Sequence, residues 1–198
     1  MFVYSLALVW GAGLIELFTP ARMSVLVPYV FIFPILILAP RLILVIDKKF
    51  KEVVSSEWLK QVEVFIFLIL AFNVPGSLVF HDLGFQYDRF LHFIVAFLAL
   101  ALFLILWLPV MKINGERIEK KRILIMLFFV LFFSLFFWEM FQFTSDQIFG
   151  TKSFFDVRQS IARDFLEDIL FGTLGLILGT IYINKKWNSL LKTLEGTL

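Results

Sequence analysis

The sequence contains no cysteine and only two histidines among its 198 residues. Without cysteine the chain has neither disulfide bonds nor thiolate metal ligands, and its composition gives no indication of its redox compartment. Charged residues make up only 17% of the chain, and a net charge of +2 is far from the basic stripe of a nucleic-acid-binding protein. We therefore expect no nucleic-acid partner.

Apolar residues dominate the chain instead. They make up 61% of it, against about 45–50% in ordinary soluble domains. Phenylalanine alone accounts for 27 residues, and the mean hydropathy is +0.93. The length suits one compact bundle and leaves little chain for a separate soluble domain. These features predict an integral membrane protein that has membrane lipid as its surroundings.

Several apolar runs approach the roughly 20 residues that a helix needs to cross a bilayer. They lie near Phe2–Phe18, Met23–Ile46, Val62–Phe80, Arg89–Met111, Ile123–Asp146 and Phe165–Ile183. The pattern predicts an all-α polytopic membrane protein with about six transmembrane helices in one bundle over residues 1–184. Pro28, Pro34 and Pro40 interrupt the second run, which should be kinked or divided. The first run lacks the basic start and the cleavage site of a signal peptide.

Lysine and arginine are distributed unevenly between the two sides of these spans. Arg22, Arg89, Lys152, Arg158 and Arg163 lie on one side, and the other side holds Lys48, Lys49, Lys51, Lys60, Lys112, Arg117, Lys120, Lys121, Arg122, Lys185, Lys186 and Lys192. Because basic residues concentrate on the cytoplasmic side, both termini should be cytoplasmic in an inner (cell) membrane protein. Residues 185–198 should form an amphipathic helix on the inner surface.

Three short stretches place polar residues within otherwise apolar sequence. They are Asp88 with His92, then Glu139 with Gln142 and Asp146, then Asp164 with Asp168. Spacings of three, four or seven put the members of each stretch on one helix face. Under the predicted orientation all of them fall in the outer halves of their spans, as do Glu16 and Asn73. Ionisable residues inside a membrane are costly and are functional candidates by default.

The candidate site residues are Asp88, His92, Glu139, Gln142, Asp164 and Asp168, with Arg89, Asp146, Arg158 and Glu16 around them. An inert packing network is the alternative. Acids near helix N-termini are favoured by capping and by the helix dipole, which accounts for Asp88 and Asp164. Arg89 and Arg163 could pair with adjacent acids. Capping does not account for Glu139, which lies roughly two turns from its helix end at a 1.5 Å rise per residue.

These motifs resemble a known group of proteins. Asp88-Arg89-x-x-His92-Phe93, Glu139-x-x-Gln142 and Asp164-x-x-x-Asp168, followed by Gly172 and Gly175, are similar to the VanZ-like superfamily of small bacterial membrane proteins. Within it they most resemble an uncharacterised inner-membrane family with a D-R-x-x-H-F motif and a later D-x-x-x-D.

The resemblance covers roughly residues 57–182, with two departures. Gln142 stands where the closer family usually has Glu, and Gly172 stands where many VanZ-like members have Asn. The resemblance implies a helical membrane fold with a shared polar site and, for some relatives, a link to glycopeptide resistance.

Two functions of different classes fit this pattern. In the first, the pocket is an active site that opens to the outer leaflet and acts on a lipid or a lipid-linked envelope substrate, with His92 as general base or metal ligand. His92, Glu139, Asp164 and Asp168 would hold a divalent cation, Mg, Mn or Zn. In the second, a non-enzymatic binder or envelope accessory protein holds an ion or an amphiphile in the same pocket. The sequence does not decide between them, and it leaves the oligomeric state open.

Two further expectations concern access to the pocket. The inner halves of the last three spans carry essentially no charge, so a pore through one subunit is disfavoured and a dead-end pocket is favoured. The segment 150–161 joins the last two spans on the outer side. Its aromatic and basic residues suit the headgroup zone, and the alternative is a lid in which Arg158 meets an anionic headgroup.

Overall fold

The computed structural model describes residues 1–17, 32–75, 87–149 and 160–195, without the side chains of residues 15–17, 75, 145, 146, 149, 161 and 192–195. These residues form α1 (Phe2–Leu17), α2 (Phe33–Ile46), α3 (Lys48–Val53), α4 (Ser56–Pro75), α5 (Tyr87–Ile113), α6 (Lys120–Phe149) and α7 (Ile161–Glu195). No strand occurs in these ranges, which confirms the predicted all-α class for the described part of the chain.

Three of the helices are long and apolar enough to cross a membrane, and they correspond to the fourth, fifth and sixth predicted spans. The qualifying ranges are Tyr87–Ile113, Lys120–Thr144 and Ala162–Leu191. α2 has only 14 residues, which at a 1.5 Å rise gives about 21 Å, short of the roughly 30 Å hydrocarbon core. By length and composition, three of the described helices could therefore cross a membrane, and the total of six remains a prediction.

The helix bounds differ from the predicted spans at several ends. α2 has Pro34 in its first turn, where the missing N–H has no helical partner to lose, and Pro40 lies in its interior. Pro28 lies outside the described residues, as does the predicted end of the third span. α4 begins at Ser56, ahead of the predicted Val62, because the Ser55 hydroxyl accepts a hydrogen bond from the Trp58 amide at 3.3 Å and supports the first turn.

α7 is a single helix of 35 residues. The sequence predicted a span that ends near Ile183 and a separate surface helix beyond it. The structure instead continues the helix through Asn184 to Glu195, because polarity alone does not end a helix where proline and glycine are absent. Trp187 is buried in the main core, and Lys120 at the start of α6 donates to the Asn184 carbonyl oxygen at 2.8 Å.

α5 and α7 run parallel and pack closely through small residues. Gly175 and Gly179 form a G-x-x-x-G motif on α7, and a Cβ atom at Gly175 would overlap the backbone carbonyl of Phe93 on α5. Such motifs let the backbones of membrane helices approach each other. α6 runs antiparallel to both, with Phe136 and Phe143 in ring contact with Phe165 of α7. The N-termini of α5 and α7 and the C-terminal part of α6 therefore meet at one end of the bundle.

At the other end, a hydrogen bond compensates for a proline inside α5. Pro109 has no N–H, so it cannot bond the carbonyl oxygen of Ile105 four residues earlier. The indole N–H of Trp58 on α4 donates to that oxygen at 2.9 Å, and Trp58 is fully buried. Neighbouring helices commonly satisfy carbonyls freed in this way inside membranes. This bond fixes α4 against α5 within the larger apolar core.

Candidate polar site

The three predicted polar stretches meet where the ends of α5, α6 and α7 converge. His92 lies in the second turn of α5, Asp168 in the second turn of α7, and Glu139 ten residues before the end of α6. At 1.5 Å per residue these positions are roughly 8 to 15 Å from the helix ends. The side chains therefore lie below the end of the bundle, among helices that are otherwise apolar.

The His92 ring stands between carboxylates from all three helices. Its Nδ1 atom lies 3.5 Å from Oε1 of Glu139 on α6. Its Nε2 atom lies 3.5 Å from Oδ1 of Asp88 on α5 and 3.8 Å from Oδ2 of Asp168 on α7. Nδ1 thus faces Glu139, and Nε2 faces both Asp88 and Asp168.

The site is closed on the side of α6 and α7 and open at Asp88. Glu139, Asp164 and Asp168 are each 3% exposed, while the Asp88 side chain is 40% exposed and that of His92 15%. Two helix N-termini point toward this region, and their dipoles favour negative charge at Asp88 and Asp164. Glu139 comes from the C-terminal part of α6, where the dipole gives no such support.

Glu139 is the least satisfied member of the site. Its Oε1 atom is buried and accepts no hydrogen bond within the described part of the chain. The 3.5 Å separation from His92 Nδ1 exceeds the usual N–H···O distance of about 2.9–3.0 Å. A buried acceptor without a donor costs about 1–3 kcal/mol, and more when it is charged. The predicted alternative of an inert packing network therefore fits Glu139 poorly.

Arg89 has a structural partner instead of facing His92. It forms an ion pair with Glu167 of α7, and Glu167 also accepts a hydrogen bond from Arg163 at 2.9 Å. The predicted alternative for the two arginines, pairing with nearby acids, is what the structure shows. Arg89 and Glu167 join α5 to α7 beside the polar site.

The remaining candidates are placed less centrally, or not at all. Asp164 is buried one turn before Asp168 on α7, and Gln142 is partly buried one turn beyond Glu139 on α6. The side chains of Glu16 and Asp146 lie outside the described residues, as do Arg158 and most of the segment 150–161. The proposed lid therefore stays a sequence-based prediction.

The group best arranged to hold a metal ion differs from the predicted ligand set. Within the described residues, Asp88, His92 and Asp168 can each offer one ligand atom with all three atoms within 4.8 Å of one another. This group shares His92 and Asp168 with the predicted ligand set and adds Asp88, and the predicted ligand roles of Glu139 and Asp164 stay predictions. The i, i+4 spacing alone places Asp88 beside His92 on α5, whereas the distances of Glu139 and Asp164 from His92 depend on how α6 and α7 are rotated about their axes.

One further buried acid, Glu63 of α4, is absent from the sequence-based candidates. Its side chain is 9% exposed, and it accepts a hydrogen bond from Arg41 Nε of α2 at 2.8 Å. Arg41 also lies over the ring of Phe2 on α1, 4.1 Å from its centroid. Glu63 lies five residues after Trp58, in the half of α4 away from the polar site. An isolated Glu and an isolated Arg in two apolar runs were the signal for this pair.

The fold and the site define an all-α protein with spanning-length helices and a buried acid–histidine cluster. The chain matches the family described as "Predicted membrane protein (DUF2238)" over residues 1–186, and it belongs to that family. No curated protein and no solved structure gives a significant match. The family description agrees with the three long apolar helices.

Proposed function

We propose that this protein is a six-span inner-membrane protein, related to the VanZ-like superfamily, that acts on the headgroup of a lipid or lipid-linked envelope compound. The reaction would take place at the cluster of Asp88, His92, Glu139 and Asp168. Residues 1–184 would form the transmembrane domain and residues 185–198 a cytoplasmic tail. His92 is proposed to act there as a general base or as a metal ligand, since it is the one imidazole in the cluster and acids flank both of its nitrogens.

The observation that carries this proposal is the position of Glu139. A carboxylate oxygen that is buried without a hydrogen bond, beside a histidine and among other acids, costs stability. Proteins tolerate such arrangements mainly where activity requires them. Capping accounts for acids in the first turns of α5 and α7, but it does not account for an acid ten residues before the end of α6.

An amphiphile suits this site better than a small water-soluble molecule. Leu166 and Leu170, two residues before and after Asp168 and therefore on the other face of α7, are 65% and 54% exposed and offer an apolar surface to acyl chains at the level of the cluster. The open side at Asp88 offers a polar entrance for a headgroup. Arg163, with a side chain that is 67% exposed, lies at the same end and shares the single carboxylate of Glu167 with Arg89, so positive charge remains there that favours an anionic headgroup.

Lipid conversion by the reconstituted protein tests this function. Purified protein would be incubated in vesicles made from an inner-membrane lipid extract, and the lipids compared by mass spectrometry for wild type, His92→Gln and Glu57→Gln. Glu57 is exposed and pairs with Lys60, so its variant is the control. We expect at least one headgroup species to change with wild type and the control but not with His92→Gln.

The same samples distinguish the binder. If lipids remain unchanged but one class copurifies with wild type and not with His92→Gln, the protein is a non-enzymatic binder. Identical lipid profiles and identical copurified lipids for wild type and His92→Gln would contradict both functions.

Topology has its own test in this cysteine-free chain. Single cysteines at Ser153 and Ser189 should label oppositely with a membrane-impermeant thiol reagent. In intact cells we expect Ser153→Cys to react and Ser189→Cys to react only after permeabilisation. The reverse result would put the polar site at the cytoplasmic end of the bundle and remove the outer-leaflet substrate.

A further inference from the structure

We infer that Asp88, His92 Nε2 and Asp168 form a divalent transition-metal site, and that Glu139 is not a ligand but positions His92 through Nδ1. The inference deepens the proposed function by giving its site a cation. It also assigns one role to the two carboxylates at Nε2 and another to the carboxylate at Nδ1. It rests on that site being functional, but not on the substrate being a lipid.

The distances around Nε2 fit a shared ion. Ligand atoms about 2.0–2.2 Å from one metal ion lie roughly 3 to 4.4 Å from each other, depending on the angle at the metal. The separations of Nε2 from Asp88 Oδ1 and Asp168 Oδ2 are 3.5 Å and 3.8 Å. Both exceed the roughly 3 Å expected for a direct N–H···O bond, and both fall within the range for two ligands of one ion.

The second observation is independent of these distances and comes from the other side of the ring. When Nε2 binds a metal, the imidazole is neutral and its proton lies on Nδ1. That N–H faces the buried Oε1 of Glu139, the atom without a hydrogen bond. Histidine ligands almost always donate their second N–H to a carboxylate, a carbonyl or water, which fixes the tautomer and the ring orientation. Glu139 is thus placed as the carboxylate of a carboxylate–histidine–metal arrangement.

Charge and donor chemistry indicate the kind of ion. Two carboxylates and one imidazole suit Zn²⁺ or Mn²⁺ better than Mg²⁺ or Ca²⁺, which prefer oxygen ligands alone. A divalent cation would also offset the repulsion among Asp88, Asp168 and Glu139, of which Asp168 and Glu139 are shielded from water. Three protein ligands leave a position for water or substrate, as catalytic zinc sites do, and the exposure of Asp88 puts an opening beside it.

Metal binding to the purified protein in detergent, after treatment with chelator, tests the ligand assignment. Zn²⁺ and Mn²⁺ affinities would be measured by calorimetry, and pulsed EPR on the Mn²⁺ form would detect a directly bound nitrogen. We expect a nitrogen signal in wild type and none in His92→Gln. Asp88→Asn and Asp168→Asn should each weaken binding by about 100-fold or more. Glu63→Gln, a matched buried carboxylate far from the site, should bind like wild type, and Glu57→Gln replaces it if it does not fold.

The role of Glu139 requires a readout that a purely structural residue would not change. Loss of the carboxylate that accepts the other N–H of a ligand histidine typically lowers metal affinity 10–100-fold. Glu139→Leu should show that loss while keeping the nitrogen signal, and Glu139→Gln, whose amide oxygen still accepts from Nδ1–H, should lose less. A structural role would lower the melting temperature in chelator but leave the affinity of the folded protein unchanged.

Three results would overturn the inference: no binding of either ion at millimolar concentration, a nitrogen signal that survives in His92→Gln, or unchanged affinity in Glu139→Leu. These results differ from a failure of the proposed function. If His92-dependent lipid conversion or retention persists without metal, the metal site alone is wrong. If metal binds as described but neither lipid measurement depends on His92, the lipid function alone is wrong.

Discussion

Glu63 and Glu139 are both buried glutamates inside apolar helices, and they are treated in opposite ways. Glu63 has a cation: Arg41 reaches it with Nε at 2.8 Å and Nη2 at 2.6 Å, and the Arg41 side chain is still 46% exposed. Glu139 has only an imidazole nitrogen at 3.5 Å, and one of its oxygens accepts no hydrogen bond within the described residues. The charge of Glu63 is therefore paired and hydrogen-bonded, while an oxygen of Glu139 could still accept a hydrogen bond.

The contrast shows that burial of a charged residue does not by itself indicate a functional site. A buried charge that is paired and hydrogen-bonded holds helices together, here α1, α2 and α4 through Phe2, Arg41 and Glu63. A buried charge whose bonding is incomplete costs free energy, and that cost points to a role in binding or chemistry. On this criterion we propose that the polar site at the junction of α5, α6 and α7 is the functional one and that the Glu63 pair is structural.

The largest expected effect concerns the backbone contact that brings His92 near Asp168. In Gly175→Ala the new methyl group would overlap the Phe93 carbonyl, and parting α5 from α7 should cost roughly 2–3 kcal/mol. Gly11→Ala is the matched control, because no atom lies within 4 Å of its added carbon. It should gain up to about 1 kcal/mol from helix propensity. Thermal unfolding in detergent measures both, and equal midpoints would contradict the close packing.

The next effect concerns the hydrogen bond between Trp58 and the Ile105 carbonyl, at the end of the bundle away from the polar site. Trp58→Phe leaves the Ile105 carbonyl buried without a donor and should cost about 1–3 kcal/mol. Pro109→Ala restores an amide N–H to α5 that can bond the same oxygen. The cost of Trp58→Phe should therefore be smaller in the Pro109→Ala background, and a double-mutant cycle of unfolding free energies measures the difference. Additive costs would show that loss of the bond to the Ile105 carbonyl is not the reason that Trp58→Phe destabilises the protein.

A smaller loss is expected at the paired glutamate. Glu63→Gln removes charge-assisted hydrogen bonds from Arg41, but Arg41 is half exposed and water can solvate it. The cost should be about 1.5 kcal/mol, with no change caused by added metal. Thermal midpoints measured with chelator and with Zn²⁺ should shift equally from wild type. A shift that appears only with Zn²⁺ would make Glu63 part of the functional site and remove the contrast.

The smallest effect, and one of opposite sign, is expected at the polar site. Asp168→Asn reduces repulsion among Asp88, Glu139, Asp164 and Asp168, so in chelator the melting temperature should stay equal to wild type or rise. The same variant should lose any stabilisation by added divalent metal. If Asp168→Asn instead unfolds the protein whether or not metal is present, the polar cluster serves packing.

Sequence reasoning found the long helices and the faces of the polar stretches because both follow from spacing along one chain. It missed what depends on how helices are rotated against each other. Asp88 lies beside His92 through the i, i+4 spacing alone, but the position of Asp168, 3.8 Å from Nε2, depends on how α7 is rotated against α5. The Gly175-x-x-x-Gly179 motif was readable and would have predicted the contact of α7 with another helix. Helix ends were missed where polar residues such as Glu57 and Lys185 continue a helix that apolar content alone would stop.

The unbroken course of α7 makes Asp168 and Trp187 parts of one rod. They are nineteen residues apart in a helix without a proline or a described irregularity, which corresponds to about 28 Å along the axis. Because the described helix has no break between them, we expect a shift or rotation of α7 at its Trp187 end to move the Asp168 carboxylate relative to His92.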